Sequence, residues 1–155
     1  MTASHQPVRQ DRKKTTMQKA AMAVGIVFVL VGILGFIPGA TTQFDQMDMA
    51  GHESEALLLG LFQVSILHNI VHLLYGVAGL VLARTYANAK NYLLIGGVIY
   101  LVLWIYGLVI DLNSDANFVP FNDADNWLHL FLGVAMIALA LILSRKRDHD
   151  TTNRV

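Results

Sequence analysis

Residues 91–110 read NYLLIGGVIYLVLWIYGLVI and contain no charged side chain. A helix needs about 20 mostly apolar residues to cross the hydrocarbon core of a bilayer. Because this run is long and lacks strict alternation of apolar and polar residues, it predicts a transmembrane helix rather than a strand. The same criterion identifies three further spans, at about residues 17–37, 56–83 and 126–143. We therefore expect an all-α, four-helix transmembrane bundle that forms a single domain over residues 17–143.

The composition supports a membrane protein and excludes several other classes. Of the 155 residues, 55% are hydrophobic and 14% are charged, well below the roughly 25% charged residues of typical soluble domains. The chain has no cysteine, so disulfide scaffolds, thiolate metal sites and thiol nucleophiles are excluded. We expect no nucleic-acid partner. The expected partners are the lipid bilayer and other membrane proteins or further copies of the chain.

The distribution of charge predicts the orientation of the four spans. All 11 lysines and arginines lie before or at the start of the first span, between the second and third, or after the fourth, whereas the other two loops contain only acidic charges. Since cytoplasmic loops are enriched in Lys and Arg, both termini and the middle loop are predicted to be cytoplasmic. The polar ends, residues 1–16 and 144–155, are predicted to be disordered cytoplasmic tails.

An internal repeat relates the two halves of the chain. Residues 69–78 and residues 126–135 share the pattern N-x-x-H-L-x-x-G-V-A, with six identities in ten positions at an offset of 57 residues. The first and third spans align more loosely at an offset of 72, which pairs two glycines of each span: Gly25 with Gly97, and Gly35 with Gly107. This pattern predicts two helical-hairpin repeats related by an axis along the membrane normal.

Polar side chains inside the spans are the candidates for a functional site. On the second span, seven polar or small residues fall within a sector of about 120° on a helical wheel: Ser65, His68, Asn69, His72, Tyr75, Gly76 and Gly79. Such a stripe should face the bundle interior, because unpaired polar groups are costly in hydrocarbon. Including its counterparts on the third and fourth spans, the candidate site comprises His68, Asn69, His72, Asn126, His129 and Asp111.

Three interpretations of this site remain open. The first, which we take as the working hypothesis, is structural: the polar groups hydrogen-bond across helices in a structural or accessory membrane subunit. The second is a proton or solute path. The third is a metal, haem or quinone site, in which His68 and His72 share a metal ion, or His72 and His129 ligate a haem from two helices. No cofactor is required by the sequence.

The repeated pattern also predicts how these side chains are arranged. Asn and His lie three residues apart, and therefore on one side of a helix, and a glycine one turn later allows a neighbouring helix to approach. We expect His72 and His129 to face the same interior, with His68 beside them. The chain has no nucleophile elbow, phosphate loop or HExxH motif, so hydrolytic and group-transfer chemistry is disfavoured and enzymatic activity stays an open question.

Several motifs resemble those of a known family. They are GFIPG at 35–39, LLGLFQVSILHNIVHL at 58–73, YGLVID at 106–111, ANFVP at 116–120 and DNWLHL at 125–130. Over about residues 17–143 the chain resembles the uncharacterised four-span bacterial membrane family labelled domain of unknown function 4383. The resemblance implies a multi-pass protein of the bacterial plasma membrane. It implies no activity, and no catalytic residue can be transferred from it.

Overall fold

The computed structural model describes residues 13–152, and for residues 146–152 only the backbone. Four helices account for most of this part of the chain: α1 (Thr16–Leu34), α2 (Ile66–Leu82), α3 (Tyr86–Val109) and α4 (Asp123–Thr152). The loop between α1 and α2 contains a short 3-10 helix, Phe44–Gln46, and three two-residue strands, β1 (Thr41–Thr42), β2 (Leu57–Leu58) and β3 (Phe62–Gln63). The predicted helical fold class is confirmed, with a small sheet added to it.

Hydroxyl side chains cap the first three helices. Thr15 and Gln18 form a capping box at α1, in which each side chain accepts a hydrogen bond from the backbone N–H of the other residue. Ser65 and Thr85 accept hydrogen bonds from the first turns of α2 and α3 in the same way. These side chains satisfy backbone donors that have no partner within the helix.

Glycines determine how closely the helices of each hairpin pack. The most extensive helix contacts join α1 to α2 and α3 to α4. A Cβ atom added at Gly76 would lie 2.7 Å from the carbonyl oxygen of Gly25, and one added at Gly133 would lie 2.9 Å from that of Gly97. Both distances are shorter than real Cβ atoms show, so each hairpin brings its two backbones together at a pair of glycines.

The outward-facing surface of the helices is apolar. Helices α1 and α3 and the segment Asp123–Arg145 of α4 are long and apolar enough to cross a membrane, and α2 is apolar but shorter. Large hydrophobic side chains are exposed along every helix, among them Ile26, Val27, Leu30, Leu74, Val77, Ile95, Val98, Val102, Phe131, Val134 and Ile142. Soluble monomers rarely expose so large an apolar surface. These features indicate a membrane protein.

The two ends of the bundle carry opposite charges. At one end, which we call the basic end, Gln18 joins the start of α1 to the end of α2 by donating hydrogen bonds to the carbonyls of Ala83 and Arg84. At the other, which we call the acidic end, Gly51 donates to the carbonyl of Phe118 and so joins the two long loops. The basic end carries Lys13, Lys14, Lys19, Arg84, Lys90 and Arg145, and the acidic end carries Asp45, Asp48, Glu53, Glu55, Asp111, Asp115, Asp123 and Asp125.

The start of the second helix differs from the prediction. The predicted span begins at about residue 56, whereas α2 begins at Ile66 and residues 56–65 form a hairpin that continues into its cap. In this hairpin Leu59 and Gly60 adopt left-handed φ angles of 55° and 69°, which turn the chain between β2 and β3. The sheet has the order β1-β2-β3, with antiparallel neighbours. It closes the acidic end of the first hairpin.

The end of the fourth helix also differs from the prediction. The predicted span ends at about residue 143 and a disordered tail follows, whereas α4 continues to Thr152. The added residues, 144–152, contain neither proline nor glycine, so the sequence supplies no helix breaker. Of the other predicted tail, residues 1–12 lie outside the described part of the chain, and α1 begins at Thr16, the last residue of that tail.

Candidate functional site

The three candidate histidines line one cavity near the acidic end. The cavity has a volume of about 150 Å³, and we call it the histidine cavity. His68 and His72 reach it from α2 and His129 from α4. Its remaining wall consists of Val71, Tyr100, Leu103, Tyr106, Phe118, Val119 and Phe121. The cavity is therefore enclosed by α2, α3, α4 and the loop between α3 and α4.

The rings around the cavity are close to one another. The ring centroids of His68 and His72 are 4.5 Å apart, because residues four apart on a helix are neighbours on its surface. The His129 ring lies 5.3 Å from both Tyr100 and Phe121. His68 and His129 are 4% and 5% exposed, so two of the three imidazoles are almost completely buried.

The three imidazoles have unused hydrogen-bonding capacity. Within the described residues, Nδ1 of His68, of His72 and of His129 is buried and has no hydrogen-bond partner. Most buried polar side-chain atoms in folded proteins do have one, and an unsatisfied one costs about 1–3 kcal/mol. A neutral imidazole offers one N–H donor and one acceptor nitrogen. Three such groups around one cavity can therefore bind a molecule that both accepts and donates hydrogen bonds.

The two candidate asparagines form helix contacts instead. Asn126 on α4 donates a hydrogen bond of 3.1 Å from Nδ2 to the carbonyl of Gly107 on α3. The amide of Asn69 packs directly against Gly35 at the end of α1, and its Nδ2 donates to the sulfur of Met47 at 3.7 Å. Neither asparagine is part of the cavity wall.

Asp111 lies away from the histidine cavity. Helix α3 ends at Val109, so Asp111 follows it in an exposed loop. Its Oδ1 accepts a hydrogen bond of 2.9 Å from the backbone N–H of Asn113, and its carbonyl accepts one from the hydroxyl of Ser114. The carboxylate thus orders its own turn, and the structure does not bring it together with the histidines.

Asp125, an acidic residue that was not among the predicted site residues, is buried at the start of α4. It is 3% exposed, and its Oδ2 accepts hydrogen bonds from the backbone N–H groups of Gln63 and Asn122, at 2.9 and 3.0 Å. In turn, Oδ1 of Asn122 accepts a hydrogen bond from the backbone N–H of Asp125, and the two bonds form a capping box at α4. The acidic residue three positions after Asn122 was the local signal for this role.

A metal or haem centre was one of the three interpretations of the site. Among the side chains that the structure describes, no group of three or more His, Asp or Glu residues is placed to hold a metal ion. A haem macrocycle does not fit either, since a cavity of 150 Å³ is the size that accommodates benzene. What the described residues offer is a small space bounded by imidazole and aromatic rings.

Comparison with known proteins identifies a family but no activity. A family model described as domain of unknown function 4383 matches residues 18–142, which include all the residues of the histidine cavity. No curated protein and no solved structure matches the chain.

Proposed function

From the premise that the chain belongs to the family described as domain of unknown function 4383, we propose that it is a four-span membrane protein with a binding role. In this proposal the histidine cavity holds a small lipid-soluble molecule, and the protein acts as an accessory subunit rather than as a catalyst. Both termini lie in the cytoplasm and the acidic end faces the outside of the plasma membrane. The observation that carries the binding role is the set of three imidazoles around one cavity, each with a buried Nδ1 that has no partner in the described residues.

The four-span topology requires α2 to cross the bilayer although it has only 17 residues. At 1.5 Å per residue it is about 25 Å long, somewhat shorter than the roughly 30 Å of the hydrocarbon core. The hairpin before α2 extends its apolar surface, since Leu59 and Leu61 at the turn are exposed. A short span can also be accommodated by local thinning of the bilayer. The separation of basic and acidic ends supports the cytoplasmic orientation of the termini.

We also infer that the two hairpins are repeats. Two kinds of contact occur once in each hairpin, a backbone contact between glycines and an asparagine side chain packed on a glycine. They are Gly25 with Gly76 and Gly97 with Gly133, and Asn69 with Gly35 and Asn126 with Gly107. The residue of each contact on the first helix of a hairpin lies 72 positions before its counterpart in the other hairpin, and the residue on the second helix lies 57 positions before its counterpart. Equivalent positions of the two hairpins therefore make the same packing contacts.

The topology can be tested with reporter fusions. Fusions after residues 46 and 118 should report a periplasmic location, and fusions after residues 87 and 150 a cytoplasmic one, because lysines and arginines accompany only the second pair of sites. Alkaline phosphatase and green fluorescent protein, which are active on opposite sides of the membrane, give the two readouts. A cytoplasmic signal at 46 or 118 would overturn the four-span orientation.

Binding, rather than packing alone, accounts for the histidines. In the structural interpretation, polar side chains inside the spans serve to hydrogen-bond one helix to another. That description suits Asn126, which bonds α4 to α3. It does not account for His129, whose Nδ1 is buried without a partner in the described residues.

The binding role predicts that a small aromatic alcohol enters the cavity. We expect 4-fluorophenol to bind saturably to the protein in nanodiscs, as measured by ¹⁹F NMR against empty nanodiscs. Its hydroxyl group can pair with an imidazole and its ring matches the aromatic wall. Replacing His72 or His129 by leucine should weaken binding at least about tenfold, since a hydrogen bond between buried groups is lost.

His52→Leu is the matched control for these variants, because His52 lies in the loop before α2 and is not part of the cavity wall. It should bind 4-fluorophenol as the wild type does. Retention time on size exclusion and melting temperature identify any variant that fails to fold. Equal binding by the wild type and both cavity variants would reject the binding role.

A further inference from the structure

We infer that the ligand of the histidine cavity is a quinone or quinol of the single-ring type, which enters sideways from the lipid phase. This inference rests on the proposed binding role and specifies the chemical class of the ligand. Four properties of the cavity support it: its size, its lack of charge, the position of its hydrogen-bonding groups and its apolar entrance.

The size of the cavity selects the part of the ligand that is bound. Its volume of about 150 Å³ equals that of an engineered cavity known to bind benzene, so it accommodates one six-membered ring with small substituents. Tyr100 and Phe121 contribute aromatic rings to the wall, and both are buried. Aromatic walls favour a planar ligand that can stack on them or meet their edges.

The cavity wall selects a neutral ligand. None of its ten residues is Lys, Arg, Asp or Glu, so no formal charge is available to balance a charged group. A carboxylate, a phosphate or an ammonium group would lose its hydration on entering and gain no ionic partner. Quinones and quinols carry carbonyl and hydroxyl groups without formal charge.

The hydrogen-bonding groups lie on two different helices. His68 and His72 belong to α2, and His129 belongs to α4, so imidazoles reach the cavity from separate walls. A 1,4-quinone has two carbonyl oxygens at opposite ends of its ring, which can accept hydrogen bonds from the imidazole N–H groups of His72 on α2 and His129 on α4. A quinol can donate to the acceptor nitrogen of the same imidazoles. Tyr106 is already committed, because its hydroxyl donates to the carbonyl of Ala116 at 2.6 Å.

The entrance of the cavity faces the apolar exterior. Val71 and Phe118 line the cavity and are 43% and 58% exposed, which places them at its edge. Next to Val71, the outward face of α2 continues with the exposed Ile70 and Leu74. A ligand whose ring occupies the cavity can therefore lay a hydrocarbon tail along α2, where the tail contacts both the protein and the surrounding lipid.

The test uses decylplastoquinone, a dimethyl-benzoquinone with a ten-carbon tail, and decylcyclohexane, which has the same tail and no oxygen. Protein with ¹⁵N-labelled histidines is placed in nanodiscs and titrated with each compound. We expect decylplastoquinone and its quinol to shift the ring ¹⁵N signals of His68, His72 and His129, with saturation near one molecule per chain. Decylcyclohexane should leave these signals unchanged, and His52 should not respond to either compound.

Two tryptophan variants test the direction of entry. Val71→Trp should obstruct the edge of the cavity and weaken decylplastoquinone binding at least about tenfold. Val77→Trp is the matched control, since Val77 is exposed on the same helix and is not part of the cavity wall. Equal binding by the two variants would contradict the entrance at Val71.

The outcomes separate the ligand class from the binding role. If 4-fluorophenol binds through the histidines and decylplastoquinone does not, the quinone assignment is wrong and the binding role stands. If decylcyclohexane binds as well as the quinone, hydrogen bonding by the imidazoles plays no part and the assignment is also wrong. If neither 4-fluorophenol nor decylplastoquinone binds, both the binding role and the quinone assignment are overturned.

Discussion

Replacement of Gly76 by valine is expected to lower the free energy of unfolding by about 3 kcal/mol or more, the upper part of the range for overpacking. A Cβ atom at this position would lie 2.6 Å from the backbone nitrogen of Val29 and 2.7 Å from the carbonyl oxygen of Gly25. Both atoms belong to the backbone of α1, so no change of side-chain rotamer relieves the clash. The two helices of the first hairpin must separate, and the contacts along them are lost.

Unfolding of the purified protein by a denaturing detergent, followed by circular dichroism, measures this loss. Val77→Leu is the matched control, because Val77 follows Gly76 on the same helix and is 51% exposed. Its effect should stay within about 0.5 kcal/mol, as for most surface substitutions. In the second hairpin, the repeat predicts a large loss of stability for Gly133→Val and a small effect for Val134→Leu. A Gly76→Val variant as stable as the wild type would show that the glycine contact does not hold the hairpin together.

The second large effect is expected for Asp125→Ala, which should lower the free energy of unfolding by about 3 kcal/mol. The carboxylate accepts hydrogen bonds from the backbone N–H groups of Gln63 and Asn122, and an alanine leaves both donors without their partner. Each partly buried unsatisfied donor costs about 1–3 kcal/mol, and the helix cap is lost as well. Because Gln63 belongs to β3, the substitution also removes one of the hydrogen bonds between the hairpin and the start of α4, while the bond from Nδ2 of Asn122 to the carbonyl of Leu61 remains.

Hydrogen exchange distinguishes this local opening from a general loss of stability. The amides of Gln63 and Asn122 should exchange much faster in Asp125→Ala, while amides in the middle of α3 keep their protection. Asp123→Ala removes an exposed carboxylate from the same first turn and should cost only about 0.5 kcal/mol through the helix dipole. If the two alanine variants have the same stability and exchange, the Asp125 carboxylate does not hold the hairpin to α4.

Long apolar runs made the helices predictable. The runs at about 17–37, 91–110 and 126–143 each lie within or largely overlap a helix of the structure, because backbone polar groups in an apolar segment of this length are best satisfied within a helix. The glycines that pack the hairpins were also identified from the sequence, as members of repeated patterns. Both properties are encoded locally, by composition and by spacing along one helix.

The start of α2 was not predictable from composition, because residues 56–65 are as apolar as the helix that follows. Distant contacts favour the hairpin there. Ala56, Leu58 and Val64 are buried and pack against the end of α1, and the N–H of Gln63 bonds to Asp125, 62 residues later in the chain. These interactions stabilise the hairpin although it lacks the hydrogen bonds of a continuous helix. They involve residues outside the segment, so the sequence of residues 56–65 alone does not predict them.

The sequence by itself determined which residues are polar within apolar runs, and therefore which side chains must lie inside the bundle, since the cost of burying them in lipid is independent of their partners. Only the tertiary structure decided what each of them does. His68, His72 and His129 line one cavity, whereas Asn126 meets the carbonyl of Gly107 and forms part of the packing. The physical reason is that a hydrogen bond depends on the distance and angle between two groups, and here those groups lie on different helices.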